Sequence, residues 1–131
     1  MSFLNKKVDI LNYGLNNIKS LYSALLKLGA NPNIINNWKE IKNADYLILP
    51  GVGAFSKGIE NLKKMGYYNE IINFKEKDKP FLGICLGMQM LFEKSEEFGN
   101  TNGLGIVEGK VLRFPKKKGL IIPHVGWDKF V

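Results

Sequence analysis

The most informative stretch of the chain surrounds its single cysteine, Cys85, which has a glycine two residues before it and another two residues after it. A free cysteine is most often a small buried hydrophobic residue. Gly83 and Gly87, however, occupy the positions at which a sharp strand-to-helix turn excludes side chains, because these would collide with adjoining backbone. Glycines at both positions arise by chance in roughly 0.5% of cases, since glycine makes up about 7% of residues. The spacing therefore predicts a nucleophilic thiol on a tight turn.

The predicted turn provides surroundings that suit attack on an amide carbonyl. A helix N-terminus carries partial positive charge, which favours a thiolate over a thiol. The backbone N–H of Leu86 is expected to be free, since first-turn amides lack helical partners, and to point at a developing oxyanion. Attack by Cys85 on an amide would give a thioester and release ammonia.

A second glycine-rich segment, residues 50–55, follows an apolar run of strand length at residues 46–49. Ligands of open α/β sheets bind at the carboxyl ends of the strands. Gly51 and Gly53 would let backbone amides approach a substrate closely. A phosphate loop is a poor match, because no Gly-Lys-Ser/Thr follows. Beside the Cys85 turn, we expect the Gly53 amide to be the second donor of an oxyanion hole.

Strands and helices alternate along the chain in a way that would bring these segments together. Apolar runs predict strands at residues 8–11, 33–35, 46–49 and 80–84. Helices are predicted at residues 16–28, 57–75 (one helix, or two broken at Gly66) and 86–94. Strands without polar alternation indicate a parallel sheet. The predicted fold is α/β, a doubly wound, mostly parallel sheet flanked by helices. Beyond Ser95, residues 111–114 and 120–122 predict strands without an intervening helix.

The composition narrows the classes of function. The net charge of +7 comes from scattered lysines and a single arginine, Arg113, which favours a solvated surface over a nucleic-acid groove. No signal peptide or membrane-length apolar run is apparent, and a lone cysteine suits a reducing compartment, so we expect a cytoplasmic protein. One cysteine and one histidine cannot supply the usual three or four metal ligands, and no dinucleotide fingerprint follows the first strand. We expect no cofactor.

Together these segments resemble the class I glutamine amidotransferases. Residues 50–55 are similar to the family's oxyanion loop, and residues 83–89 to its nucleophile turn. Residues 123–127, Pro-His-Val-Gly-Trp, look like a stretch near the synthase partner, which narrows the resemblance to the glutaminase subunit of imidazole glycerol phosphate synthase. Further similar segments lie at residues 91–93, 95–97, 103–105, 109–111 and 113–114.

The resemblance implies roles for individual residues. Cys85 would attack glutamine, Gln89 would help to hold it, and Gly51 and Gly53 would line its site. The partner would be a cyclase subunit with a (β/α)8 barrel, which forms a heterodimer with the glutaminase and receives its ammonia. Partner-interface candidates are Asn12, Asn16, Pro123, His124 and Trp127. The alternative for Trp127 is a structural role, as an aromatic residue of the core or of a lid.

The family takes its catalytic histidine and carboxylate from a later His-Pro-Glu segment, whereas this sequence ends at Val131 without one. We therefore expect residues 1–131 to be the N-terminal portion of an amidotransferase domain, inactive alone, with an apolar patch on one sheet face. The only histidine, His124, lies in the partner-facing motif, which argues against a Cys85–His124 pair.

Two other functions fit the same residues. In the first, the ammonia serves amination in a surface-sugar pathway, because Cys85 and its loops indicate glutamine chemistry but do not identify the acceptor of the ammonia. Alternatively, the chain is a shortened, non-catalytic subunit that binds a partner, although the presence of Cys85 argues against this. Identification of the partner distinguishes the surface-sugar alternative from the histidine-pathway function. Reaction of Cys85 with a glutamine-like electrophile distinguishes an enzyme from the non-catalytic subunit.

Overall fold

The computed structural model describes residues 4–119, 121–127 and 129. The strands are β1 Lys7–Leu11, β2 Asn31–Ile35, β3 Leu47–Leu49, β4 Phe81–Gly83, β5 Phe92–Ser95, β6 Thr101–Asn102 and β7 Val107–Val111. The helices are α1 Ile18–Lys27, α2 Phe55–Lys64, α3 Tyr67–Glu76 and α4 Leu86–Met90, with a 3-10 helix at Trp38–Asn43. Within this part of the chain, no helix has the length and apolarity needed to cross a bilayer.

The main sheet has the strand order β2-β1-β3-β4, and every neighbouring pair is parallel. All three residues of β3 are buried, as expected for a strand covered on both faces. Ile48 packs with Val8 and Leu25 of α1, whereas Leu47 and Leu49 join the core formed with α2, α3 and α4. Because successive strand residues point to opposite faces, helices flank both sides. The predicted fold class is confirmed.

The larger core lies between the sheet and helices α2 to α4. Its fully buried aromatic side chains are those of Tyr13, Phe55, Tyr67 and Phe74. Gly66 separates α2 from α3 with a φ of +76°, a conformation that glycine adopts at little cost. The alternative of two helices broken at this glycine is therefore the correct one.

The opposite face of the sheet is less covered. Every residue of α1 retains some solvent exposure. Beside this helix an apolar groove of about 310 Å³ opens over β1, β3 and β4. Leu28 and Leu82, both in its lining, are 71% and 53% exposed. An apolar patch is thus present on one sheet face, as expected from the sequence.

Three predicted elements, one helix and two strands, differ from the structure. The helix predicted over residues 86–94 ends at Met90, and Phe92–Ser95 is instead β5, which pairs in parallel with β7 and antiparallel with β6. Long-range backbone pairing, such as that of the Gly103 amide with the Glu93 carbonyl at 2.7 Å, overrides the local helical pattern.

The C-terminal strand predictions were also wrong for the described residues. The strand expected at residues 111–114 is shifted to β7, so the two share only Val111. Ile121 and Ile122 lie outside any strand, and Leu120 lies outside the described residues.

Candidate active site

Cys85 lies at the turn between β4 and α4, where its φ is +53° and its ψ is −119°. A residue with a side chain rarely adopts this conformation, which costs about 1–3 kcal/mol unless the surroundings impose it. The residue is exposed and the thiol is free. The sequence-predicted turn is therefore present, and its cysteine is not part of the packed core.

The two flanking glycines are sterically required. A Cβ on Gly87 would overlap the carbonyl oxygen of Leu49, a backbone atom that cannot swing aside. A Cβ on Gly83 would lie 2.7 Å from the Cα of Met88, also backbone. These approaches explain why the turn excludes side chains at both positions.

The glycine loop, residues 50–54, lies directly against this turn. β3 and β4 pair in parallel with Leu49 opposite Gly83, so the loops that follow them meet at the same sheet edge. The Ile84 amide donates to the Leu49 carbonyl at 3.0 Å, and the Leu86 amide donates to the Gly51 carbonyl at 3.3 Å. Cys85 and the glycine loop are thus brought together.

The expectation of a free Leu86 amide was wrong, because the Gly51 carbonyl occupies it. For the Leu86 amide to donate to an oxyanion, the Gly51 carbonyl must first turn away from it. The next amide of the loop, that of Val52, donates to the Leu15 carbonyl at 2.9 Å. Gly53 is exposed, with a φ of +102° that favours glycine. The oxyanion roles of Leu86 and Gly53 stay predictions.

Tyr13 is a residue of the site that the sequence analysis did not identify. Its hydroxyl donates to the Pro50 carbonyl at 2.7 Å, and its own carbonyl accepts from the Asn61 side chain at 2.9 Å. Burial raises the pKa of the Tyr13 phenol above its ordinary value, and the nearby charge of Cys85 raises it further. The phenol therefore stays a protonated donor beneath the glycine loop.

Gln89 follows the thiol turn, and Glu97 contacts the residue that follows the glycine loop. The Gln89 amide donates to the Cys85 carbonyl at 3.1 Å, so Gln89 is one helical turn beyond the thiol, and it is half-buried. At the far end of the loop, the Phe55 amide donates to a Glu97 carboxylate oxygen at 2.8 Å. A carboxylate stabilises a helix N-terminus, and here it fixes the start of α2. The Ser95-Glu96-Glu97 triplet was the available signal for Glu97.

The Glutamine amidotransferase class-I family model matches residues 9–127. This chain is a class I glutamine amidotransferase family member. It is 53% identical over 121 residues to the imidazole glycerol phosphate synthase subunit HisH of Caldanaerobacter subterraneus subsp. tengcongensis, covering 92% of this chain and 59% of that protein. The subunit HisH of Wolinella succinogenes is 45% identical over 126 residues, covering 94% and 62%.

The amidotransferase fold is also found among solved structures. A structure described as a glutamine amidotransferase superposes with a TM-score of 0.69 at 20% identity, covering 81% of this chain and 56% of that one.

The chloroplastic imidazole glycerol phosphate synthase hisHF of Arabidopsis thaliana is 44% identical over 92% of this chain, which covers 20% of that protein. This family member spans about three-fifths of the length of the two HisH relatives named above, 59% and 62%.

The partner-interface candidates of this family member form two groups. Asn16 donates to the Asn12 side chain at 3.5 Å, and Asn12 donates to that of Asn36 at 2.7 Å, at the carboxyl ends of β1 and β2. The sequence analysis did not identify Asn36. The second group, Pro123, His124 and Trp127, is exposed, and described residues 121–127 lie in no helix or strand. Trp127 is fully exposed in the described part of the chain.

The backbone strain at Cys85 predicts that a glycine variant at this position is more stable than an alanine variant. Cys85→Gly should be more stable than Cys85→Ala by about 1 kcal/mol, because relief of a positive φ outweighs the entropy that glycine adds to the unfolded chain. Urea unfolding of both variants measures the difference. At Met88, exposed within α4, the order should reverse, because glycine weakens a helix. An alanine variant that is the more stable at both positions contradicts a strained turn.

Proposed function

We propose that this protein is the glutaminase of imidazole glycerol phosphate synthase, which hydrolyses glutamine through a thioester on Cys85. The observation that carries the proposal is the exposed thiol on a strained turn, with the glycine loop against it through Leu86 and Gly51. The names of the relatives support the histidine-pathway assignment.

In the proposed reaction, the Cys85 thiolate attacks the carboxamide carbon of glutamine. A carbon–sulfur bond forms, and the carbonyl electron pair moves to oxygen. The Leu86 and Gly53 amides stabilise this oxyanion once the Gly51 carbonyl has turned away. The oxyanion then collapses, the carbon–nitrogen bond breaks, and the protonated nitrogen leaves as ammonia. Water then attacks the thioester carbon, a carbon–oxygen bond forms and the carbon–sulfur bond breaks, so that glutamate leaves and a proton from the water restores the thiol.

Residues near the thiol would hold the substrate. Gln89, half-buried and one helical turn from Cys85, is placed to bond polar groups of glutamine. Gly51 and Gly53 would line the other side, where the lack of side chains leaves room for the substrate's carboxamide. No cofactor is needed for this hydrolysis.

We further propose that residues 1–131 are the N-terminal portion of the amidotransferase domain. The base that moves the protons would then come from a later segment, as the family's His-Pro-Glu motif suggests. The same later part of the domain would cover the apolar groove beside α1. Burial of Leu28 and Leu82 there would contribute about 25 cal/mol for each Å² removed from water.

The proposed acceptor of the ammonia is a cyclase subunit with a (β/α)8 barrel, in a cytoplasmic heterodimer. Asn12 and Asn16 lie at the carboxyl edge of the sheet, the same edge that carries the Cys85 turn, and offer polar groups to a partner there. Pro123, His124 and Trp127 offer exposed surface, and a fully exposed tryptophan is a typical interface anchor.

The chloromethyl ketone analogue of glutamine tests the proposed chemistry in the protein with its cyclase partner. The Cys85 sulfur should displace chloride and form a carbon–sulfur bond, so intact mass rises by one adduct that peptide mapping assigns to Cys85. Excess glutamine should suppress the reaction, and Cys85→Ser should abolish it. Absence of an adduct while iodoacetamide still modifies Cys85 would contradict the proposal and favour a non-catalytic partner-binding subunit.

A further inference from the structure

We propose that Tyr13 is a positioning residue, whose hydroxyl fixes the base of the glycine loop relative to Cys85. The inference deepens the proposed glutaminase function and rests on it for its catalytic meaning. The geometry that carries it is a fully buried phenol from the first strand–helix connection, which reaches a loop 37 residues away in sequence.

Tyr13 is held at both ends. Its backbone carbonyl accepts a hydrogen bond from the Asn61 side chain of α2, and its hydroxyl donates to the Pro50 carbonyl. Pro50 is buried and begins the loop directly after β3. Tyr13 therefore connects α2, the helix that follows the loop, to the strand end that precedes the loop. We call this connection, from Asn61 through Tyr13 to Pro50, the strut.

The hydroxyl also packs directly against the loop. A Cβ added to Gly51 would overlap the Tyr13 oxygen, so that oxygen lies where a side chain of residue 51 would be. The Gly51 carbonyl in turn accepts from the Leu86 amide, next to the thiol. Loss of the hydroxyl leaves the Pro50 carbonyl without this donor and opens space beneath Gly51. The loop should then shift relative to Cys85.

The donor role is independent of the state of the thiol. Burial already raises the pKa of the phenol, and negative charge on Cys85 raises it further, so the hydroxyl keeps its proton when the thiolate forms. The strut thus persists in the form of the enzyme that attacks glutamine.

Amide hydrogen exchange in Tyr13→Phe tests the positioning role directly. The Leu86 amide should exchange roughly tenfold faster, the effect of losing one buried hydrogen bond. The Asp9 amide, bonded to the Tyr46 carbonyl at 2.9 Å, should exchange at its original rate. Tyr67→Phe is the matched control, since Tyr67 is also buried and donates to a backbone carbonyl, that of Ile35, at 3.3 Å. Unchanged exchange at Leu86, or equal acceleration at Asp9, overturns the proposal.

The rate at which Cys85 reacts with a glutamine-like reagent, divided by its rate with iodoacetamide, tests whether Tyr13 affects the geometry of the glutamine site. In Tyr13→Phe, labelling of Cys85 by the chloromethyl ketone of glutamine should slow roughly tenfold relative to labelling by iodoacetamide, whereas Tyr67→Phe should preserve the ratio. Global unfolding would also lower this ratio, because it removes the glutamine site but leaves the thiol open to iodoacetamide, so the ratio is compared only where circular dichroism shows wild type and both variants to be folded. A wild type that reacts with iodoacetamide alone contradicts the glutaminase function, whereas a Tyr13→Phe ratio equal to that of wild type contradicts the strut alone.

Discussion

Gly87→Ala is expected to destabilise the chain by about 3 kcal/mol or more, because the added methyl group overlaps backbone and not a movable side chain. The overlapping atom is the Leu49 carbonyl oxygen, which already accepts from the Ile84 amide in the ladder between β3 and β4. Relief would require these two strands to separate at the point where both functional loops begin. The loss is large against a typical total stability of about 5–15 kcal/mol.

Thermal and urea unfolding of the Gly87→Ala chain measure this loss, with an expected fall in melting temperature of about 10 °C or more. Gly126→Ala is the matched control, because a Cβ there has no atom within 4 Å. The glutamine-directed labelling of Cys85 should fall with stability, since the turn cannot keep its geometry. A Gly87→Ala variant as stable as Gly126→Ala would show that the turn and the strand end do not approach as closely as described.

Much of the fold followed from local sequence. Continuous apolar runs such as Leu47–Leu49 identified buried parallel strands, and a break at Gly66 was one of the two alternatives that the sequence offered for residues 57–75. The segment after Met90 could not be assigned in the same way, because Phe92–Ser95 becomes a strand only by pairing with β6 and β7. That pairing depends on the course of residues 101–111, which no local pattern fixes.

The candidate site was predictable where one residue's chemistry depended on its immediate neighbours. Gly83 and Gly87 identified the turn at Cys85 because their spacing has a steric cause within a few residues. The bond from the Leu86 amide to the Gly51 carbonyl was not predictable, because it depends on the orientation of one peptide in another loop. The Tyr13 contact likewise joins segments that are adjacent only after the sheet has formed.

Gly51→Ala should destabilise the chain by about 2–3 kcal/mol, through overlap in a tightly packed position. The backbone at Gly51 does not require a positive φ, so the effect is steric: the new methyl group overlaps the Tyr13 hydroxyl and lies 2.9 Å from the Leu86 Cβ and 3.0 Å from the Gly87 nitrogen. Urea unfolding measures the loss. Gly53→Ala, at an exposed position with open space but a φ of +102°, gives the cost of backbone strain alone for comparison.

Combining Gly51→Ala with Tyr13→Phe should cost less than the sum of the two single changes, by about 1 kcal/mol. Tyr13→Phe removes the atom that the new methyl group overlaps, so the double variant avoids one of the two penalties. The contacts with Leu86 and Gly87 remain, so the rescue is partial. The control combination of Gly51→Ala with Tyr67→Phe should be additive, because Tyr67 bonds the Ile35 carbonyl at the end of β2. If both pairs are additive, the Tyr13 hydroxyl does not support Gly51, and the loop must take its position from the Leu86 and Leu15 hydrogen bonds alone.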